Sequence, residues 1–218
     1  MSKIEELAKL KDKVDKDMTL PLRQGATQLV FGEGNPDTQV YFLGEAPGYW
    51  EDQKGRPFVG QAGKLLDKLI EDLGMKREDV YISNVVRFRP PENRDPLPAE
   101  LEAFAPYVDR EIEIIDPKVI VTLGRYSMAK FLPDVKISQV HGKPRRVRRN
   151  GKDITVVPMY HPAAALRSGE VLNALREDFK AIAKVLEEDE SNEDLPAQAG
   201  MSDESKKEEI RAEQMTLV

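Results

Sequence analysis

The chain has 218 residues, of which 40% are hydrophobic, so it is long enough to bury one sizeable core and favours a single domain. It contains no cysteine, which excludes disulfide bonds, thiolate metal sites and cysteine nucleophiles. The formal net charge is -6, but the segment from Glu187 onward holds eleven acidic and three basic residues, which leaves residues 1–186 at about +2.

The charge and hydropathy pattern contains no candidate membrane segment. No stretch approaches the roughly 20 apolar residues that span a bilayer, and the first 17 residues are charged rather than typical of a signal sequence. We therefore expect a cytoplasmic protein with no membrane partner.

The first predicted element is an amphipathic helix over residues 2–17. Its apolar residues recur at three- and four-residue spacing, which predicts a helix with one face packed on the domain. These residues are Ile4, Leu7, Leu10 and Val14.

The next part of the chain alternates strands and helices. Strands are predicted at 40–44, 79–84 and 118–124, with helices ending at Gly74, running from about Pro98 to Ile115, and ending before Pro133. This alternation predicts an α/β fold, a mainly parallel sheet between two layers of helices.

The remaining elements complete one domain over residues 1–186. Strands at 145–149 and 153–159, joined by Asn150-Gly151, predict a hairpin, and a last helix is expected from about Glu170 to Leu186. From residue 187 the hydrophobic residues become sparse and acidic residues dominate, which predicts a disordered tail through residue 218.

Three unusual segments follow predicted strands: GEAPG at 44–48, SNVVRFRPP at 83–91 and PMYHPAAALR at 158–167. In open α/β sheets ligands bind beyond the carboxyl ends of the strands, so one cleft is expected to be lined by all three segments.

Taken singly, the candidate residues have two interpretations each. The glycine-rich loop at 44–63 can bind an anion, but it has neither a G-x-G-x-x-G nor a P-loop pattern. Asn84 offers a donor and an acceptor that suit uracil, or serves as an ordinary turn asparagine. Phe58 either stacks on a flat base or belongs to the core, and His161 is either structural or catalytic.

In combination the motifs GEAPGxxEDxxGxPFVGxAG, NVVxxRPPxNRDP and HPAAxLR, in this order and spacing, resemble the family 4 uracil-DNA glycosylases of bacteria and archaea. The resemblance covers about residues 17 to 186. It implies the three-layer fold of that family and metal-independent hydrolysis of the N-glycosidic bond of uracil in single- and double-stranded DNA.

The same resemblance implies roles for individual residues. Phe58 would stack on the flipped uracil beside Ala46, and Asn84 would read its pairing edge. His161 would bind uracil O2 as negative charge develops there. Between them, Glu45 and Glu51 would orient the attacking water, stabilise the sugar cation and exclude thymine. Glu51 is expected to participate more directly in the reaction.

DNA contacts are expected on both sides of the cleft. The resemblance places Pro47, Gly48, Ala163, Leu166 and Arg167 against the DNA, with Leu166 or Arg167 inserted into the stack. The basic hairpin would contact phosphates through Lys143, Arg145 and Arg146, with Arg148, Arg149 and Lys152 nearby; without the family, a solvated strand face is an equal alternative.

The sequence departs from the family at the iron-sulfur cluster. Relatives hold it on four cysteines, and the corresponding positions here are Asp17, Leu20, Phe88 and Phe104, so we expect no cofactor and no metal. Because three of these residues are apolar, a small hydrophobic cluster is expected in their place, tying the N-terminal helix to the domain.

One further partner and two rival functions remain. The last residues, Gln214, Met215, Thr216, Leu217 and Val218, resemble the peptide by which bacterial repair proteins dock on the sliding clamp. A monomer is expected otherwise. The rival functions are a glycosylase with a broader base range, including hypoxanthine and xanthine, and an inactive module that binds damaged DNA.

Overall fold

A computed structural model describes residues 1–149 and 151–193. Its centre is a six-stranded sheet in the order β1-β3-β2-β4-β6-β5. The four inner strands pair in parallel, and the two edge strands pair antiparallel to them. The strands are β1 (Glu33–Gly34), β2 (Val40–Gly44), β3 (Tyr81–Asn84), β4 (Val119–Leu123), β5 (Arg145–Arg149) and β6 (Lys152–Met159).

Helices cover both faces of this sheet. They are α1 (Lys3–Lys16), α2 (Tyr49–Lys54), α3 (Gln61–Asp72), α4 (Pro98–Ile115), α5 (Arg125–Ala129), α6 (Ile137–Val140), α7 (Pro162–Ala165) and α8 (Gly169–Glu193). Successive residues of β2 point to opposite faces, so Val40 and Phe42 join one hydrophobic cluster, with α3 and α8, while Tyr41 joins the other, with α1 and α4. The predicted three-layer α/β/α fold with a mainly parallel sheet is confirmed.

The N-terminal helix α1 begins with a capping box, in which Ser2 accepts a hydrogen bond from the Glu5 amide and the Glu5 carboxylate accepts one from the Ser2 amide. Leu7, Leu10 and Val14 are buried against the domain, as expected for one face of an amphipathic helix. Ile4 is 67% exposed, so its predicted place on the buried face is wrong. Ile4 instead lines a shallow surface groove beside Phe31 and Tyr81, in a first turn that Lys3 ties to the domain by donating to the Ile115 carbonyl.

The positions equated with cluster ligands do not fit an iron-sulfur cluster. Leu20, Phe88 and Phe104 are buried in the same hydrophobic cluster as α1, with the two phenyl rings 6.1 Å apart, so side chains occupy the space between them. The fourth position, Asp17, accepts hydrogen bonds from Thr19 and from the Tyr107 hydroxyl at 2.5 Å, and these lower the pKa of its carboxyl to about 2. None of the four offers the thiolate that iron in such clusters requires.

Replacing Phe104 by alanine is expected to lower the free energy of unfolding by about 3–5 kcal/mol, because a fully buried ring leaves a cavity between α1 and α4. Urea unfolding monitored by circular dichroism measures this loss. Met18→Ala is the matched control, since Met18 is 76% exposed. A loss below about 1 kcal/mol for Phe104→Ala would show that the ring does not hold the N-terminal helix to the domain.

The last helix, α8, ends at Glu193, seven residues beyond the end predicted at Leu186. Residues Met1–Leu186 form one compact unit. The predicted disordered tail beyond Glu193 and the peptide at 214–218 lie outside the described residues. No helix in the described part of the chain is long and apolar enough to cross a membrane.

Candidate active site

A cleft of about 300 Å³ opens at the carboxyl ends of β2, β3 and β6. Parallel strands all end at this edge, so the loops that follow them meet there. Ten of the residues predicted from the sequence line the cleft, and the three unusual segments each contribute to it: Glu45, Ala46, Pro47, Gly48, Glu51, Phe58, Asn84, His161, Ala163 and Arg167.

Asn84 is the last residue of β3 and its side chain is buried, with 2% exposure. Its Oδ1 atom has no hydrogen-bond partner among the described residues. A Cβ on the neighbouring Gly44 would overlap both Oδ1 and the Phe58 ring, so the glycine makes room for this pair. Buried polar atoms are nearly always paired, so an orphaned carboxamide oxygen beside a cleft indicates a position that a ligand completes.

Phe58 forms one wall of the cleft in an unusual backbone conformation, with φ at 51°. Arg77 holds that segment in place by donating to the carbonyls of Pro57 at 2.6 Å and Phe58 at 3.2 Å. The absence of a side chain at Gly63 is also required, because a Cβ there would overlap the Phe58 carbonyl. The ring is therefore fixed before any ligand arrives.

His161 caps the short helix α7, and its Nδ1 accepts a hydrogen bond from the Ala163 amide at 3.1 Å. In the neutral ring this leaves the proton on Nε2. Burial lowers the pKa of His161 to about 4, although the negative charge of Glu51 acts in the opposite direction. The imidazole is thus a neutral hydrogen-bond donor at pH 7, stacked at 5.6 Å from the Phe58 ring.

The carboxylate of Glu51 is anchored by only one of its oxygens. Oε1 accepts hydrogen bonds from the amides of Val59 at 2.9 Å and Gly60 at 2.8 Å. Oε2 faces the side of Gly48 on which a Cβ would stand, 2.8 Å from that position. One oxygen therefore orients the group and the other remains available at the cleft.

Glu45 occupies a different environment, next to the start of α5. Its Oε1 accepts a hydrogen bond from the Tyr126 amide at 3.1 Å, at the start of α5. Burial raises the pKa of its carboxyl. The two acidic residues are therefore distinguished by their surroundings, which the sequence alone left open.

A buried ion pair supports the second motif just after Asn84. Arg87 donates to Glu111 at 2.7 Å, both side chains are fully buried, and the Tyr41 hydroxyl donates to the same carboxylate at 2.5 Å. Losing one member would leave a buried charge unpaired, so this network fixes the chain just after Asn84.

Six further residues, not predicted as site residues, line the cleft: Ala62, Pro90, Asn93, Arg94, Asp95 and Pro96. Most belong to the NRDP part of the second motif. Arg94 is held by two hydrogen bonds to Glu100, at 2.8 and 2.6 Å, which position this loop over the cleft. The available signal was the presence of charged residues within a proline-rich loop after a strand.

The predicted DNA-contacting residues outside the cleft separate into two groups. Leu166 is 52% exposed just after α7, beside the cleft residues Ala163 and Arg167. Of the hairpin cations, Arg148 pairs with Asp153, Arg149 with Asp109 and Lys152 with Asp116. Lys143, Arg145 and Arg146 are exposed and form no ion pair within residues 1–149 and 151–193.

In the part of the chain that the structure describes, no group of three or more histidine, cysteine, aspartate or glutamate side chains is arranged to hold a metal ion. The described cleft combines an aromatic wall, an unpaired carboxamide, a neutral imidazole donor and a carboxylate. Such a set accommodates a flat, polar ring and stabilises negative charge that develops on it.

Comparisons with known proteins point in the same direction. A family model described as the uracil DNA glycosylase superfamily matches residues 31–187. The chain is 46% identical over 188 residues to the type-4 uracil-DNA glycosylase of Sulfurisphaera tokodaii, covering 84% of this chain and 86% of the relative. Type-4 uracil-DNA glycosylases of Archaeoglobus fulgidus and Thermotoga maritima are 45% and 44% identical, over 75% and 81% of this chain and 85% and 93% of theirs.

Proposed function

Because this chain belongs to the type-4 uracil-DNA glycosylases, we propose that it removes uracil from DNA by hydrolysing the N-glycosidic bond, and that the cleft described above carries out the reaction. The observation that carries the proposal is the buried Oδ1 of Asn84, which has no hydrogen-bond partner among the described residues and belongs to the same cleft as Phe58 and His161. The N3-H group of a uracil ring supplies the hydrogen-bond donor that this oxygen lacks.

The base enters the cleft after it rotates out of the DNA stack. It stacks on Phe58 next to Ala46, its N3-H donates to Asn84 Oδ1, and its O4 accepts from the Asn84 amide nitrogen. Cytosine has an unprotonated N3 and an amino group in place of O4, so both hydrogen bonds would be lost. Asn84 is thus the residue that selects uracil.

The reaction breaks the bond between N1 of uracil and C1′ of the deoxyribose, and the bonding electrons leave with the base. His161 donates its Nε2 proton in a hydrogen bond to O2, where the negative charge accumulates. Glu51 stabilises the cationic sugar and orients a water molecule that adds to C1′; its carboxylate accepts the water's proton, which finally neutralises the released uracil anion. Glu45 supports the cleft and borders the base, and the product is an abasic site.

DNA is held on either side of the cleft. Pro47 and Gly48 contact the strand next to the flipped nucleotide, and Ala163 and Arg167 contact it from α7. The exposed Leu166 enters the gap in the stack, where an apolar side chain offsets lost base stacking. Lys143, Arg145 and Arg146 bind phosphates, which fits the absence of ion pairs to them in the described residues.

The protein performs this reaction without the iron-sulfur cluster of its relatives. Side chains packed at Leu20, Phe88 and Phe104 join the N-terminal helix to the domain instead. It acts as a monomer in the cytoplasm, and the peptide at 214–218 binds a sliding clamp. An intact protein that fails to co-migrate with a bacterial clamp would contradict the last assignment.

Single-turnover release of uracil from single-stranded, U:A and U:G oligonucleotides tests the function. The wild-type protein is expected to release uracil from all three, and Glu51→Gln to slow release by about 10²-fold or more, because the neutral amide neither stabilises the sugar cation nor accepts a proton. Lys180→Ala is the control, since Lys180 lies on α8 paired with Glu177.

The same assay separates the rival functions. Release of hypoxanthine or xanthine at a rate comparable with uracil would favour the broader glycosylase. Binding of uracil-containing DNA without release of any base would contradict the proposed function and favour the damage-binding module.

A further inference from the structure

Two large aromatic side chains are exposed on α2, next to the cleft. Tyr49 is 49% exposed and Trp50 is 55% exposed, and their rings contact edge to face with centroids 5.2 Å apart. Neither side chain belongs to the two hydrophobic clusters, so neither contributes to the core. An exposed aromatic pair beside a functional cleft indicates a surface that another molecule covers.

A separate groove of about 250 Å³ lies beside Trp50, and two lysines line it. Lys54 and Lys64 are exposed, and neither forms an ion pair with the rest of the described chain. The indole lies close to the backbone of Gly60, whose missing Cβ would stand 3.6 Å from indole Cδ1. The groove therefore combines one large aromatic surface with two free positive charges.

This groove lies next to the cleft, because residues that line it adjoin or contact Glu51, which lines the cleft. Trp50 directly precedes Glu51 in α2, and the Gly60 amide that borders the groove donates to the Glu51 carboxylate. On the other side of the pair, the guanidinium of Arg89 lies 5.2 Å from the centre of the Tyr49 ring. A strand whose uracil occupies the cleft would have its next nucleotides within reach of this surface.

We propose that Trp50, Lys54 and Lys64 form a subsite for unpaired nucleotides that flank the uracil, in which one base stacks on the indole and its phosphates meet the two lysines. Stacking requires a base with a free face, and phosphates supply the negative charge that the lysines lack, so the occupant is single-stranded DNA. The inference rests on the proposed function, because the cleft sets the path of the strand. A protein ligand would fit the aromatic pair but does not account for two unpaired lysines beside it.

Trp50 is the only tryptophan in the chain, so its fluorescence reports directly on the subsite. Titration with a uracil-free single-stranded oligothymidylate is expected to quench the emission, whereas a blunt duplex of the same length quenches it much less. Lys54→Ala and Lys64→Ala are expected to weaken the binding and to reduce its salt dependence. Lys180→Ala, which changes a paired lysine on α8, is the control.

An activity measurement gives a second test. For uracil in the middle of a long single strand, Trp50→Ala is expected to raise KM by roughly tenfold, because stacking on an aromatic ring contributes about this factor per base or more. Trp50→Phe, which keeps an aromatic face, is expected to have a KM close to that of the wild-type protein. The KM for a U:G duplex should rise less in both variants.

The outcomes separate the two proposals. Uracil release without any quenching by oligothymidylate, or with equal quenching by single strand and duplex, overturns the subsite and leaves the glycosylase intact. Quenching that Lys54→Ala and Lys64→Ala do not weaken also overturns it. Quenching with lysine dependence but no release of uracil supports a nucleotide-binding groove and contradicts the proposed reaction.

Discussion

Replacing Asn84 by leucine is expected to abolish uracil release and at the same time to stabilise the protein. The two side chains have similar size and shape, so the change removes the carboxamide without creating a large cavity. Sites that hydrogen-bond a ligand lose about 10⁴-fold or more when those bonds cannot form, so single-turnover release should fall by about that factor.

The stability gain has a separate cause. Oδ1 of Asn84 is buried and has no hydrogen-bond partner among the described residues, and a buried polar group without a protein partner costs about 1–3 kcal/mol. Removing it should raise the free energy of unfolding by about 1 kcal/mol, after some loss of packing against Phe58. Urea unfolding of the wild type and of Asn84→Leu measures this difference.

Asn84→Asp is the matched variant for base selection. It keeps the shape and one acceptor but replaces the donor to O4 with a second oxygen, so uracil release should fall although the cleft is unchanged in volume. The ratio of uracil to cytosine release should fall with it. Uracil release near the wild-type rate in either variant would show that Asn84 does not read the base.

The regular elements could be predicted because their sequence signals are local. The strand at 40–44 and the helix from Pro98 to Ile115 have the predicted bounds, since each is a continuous apolar or amphipathic segment with clear ends. The edge strand β1 has only two residues, Glu33 and Gly34, and no periodicity to detect. This short strand forms because it pairs with the edge of β3.

The sequence could predict which residues line the cleft but not how their side chains are arranged. Three motifs that follow strands had to meet at one edge of a parallel sheet, and this brought Glu45, Asn84 and His161 together. Which oxygen of Glu51 is anchored, and which nitrogen of His161 accepts, depend on backbone amides of residues 59, 60 and 163. Such contacts are set by loop conformation, which composition does not encode.

The aromatic pair on α2 is a different kind of case. The stretch was interpreted as a glycine-rich loop, and Tyr49 and Trp50 are ordinary core residues by type. Only their exposure, 49% and 55%, indicates that they face away from the core. Neighbouring groups from another part of the chain, such as Lys64 on α3, complete the surface, so spacing along the sequence could not reveal it.

Replacing His161 by alanine is expected to slow single-turnover uracil release by about 10²–10³-fold, the usual effect of removing one donor to a developing oxyanion. Because the pKa of His161 is lowered to about 4, the donor is a neutral ring. His161→Gln keeps a neutral donor of similar reach and should therefore retain much more activity than His161→Ala. An equal loss in both variants would contradict donation by a neutral side chain.

The protonation of His161 can be measured directly, because the chain has only two histidines and the other is His141. NMR titration should show one imidazole that stays neutral until the pH approaches about 4. Its folded-state pKa lies below the ordinary value of about 6.5, so between these values the unfolded chain binds the proton more readily. The free energy of unfolding should therefore fall as the pH decreases from about 6.5 to 4, and this slope should be smaller in His161→Gln. A His161 ring that stays protonated above pH 7 would place a cation beside Glu51, and leaving-group stabilisation would then depend on a charged imidazole.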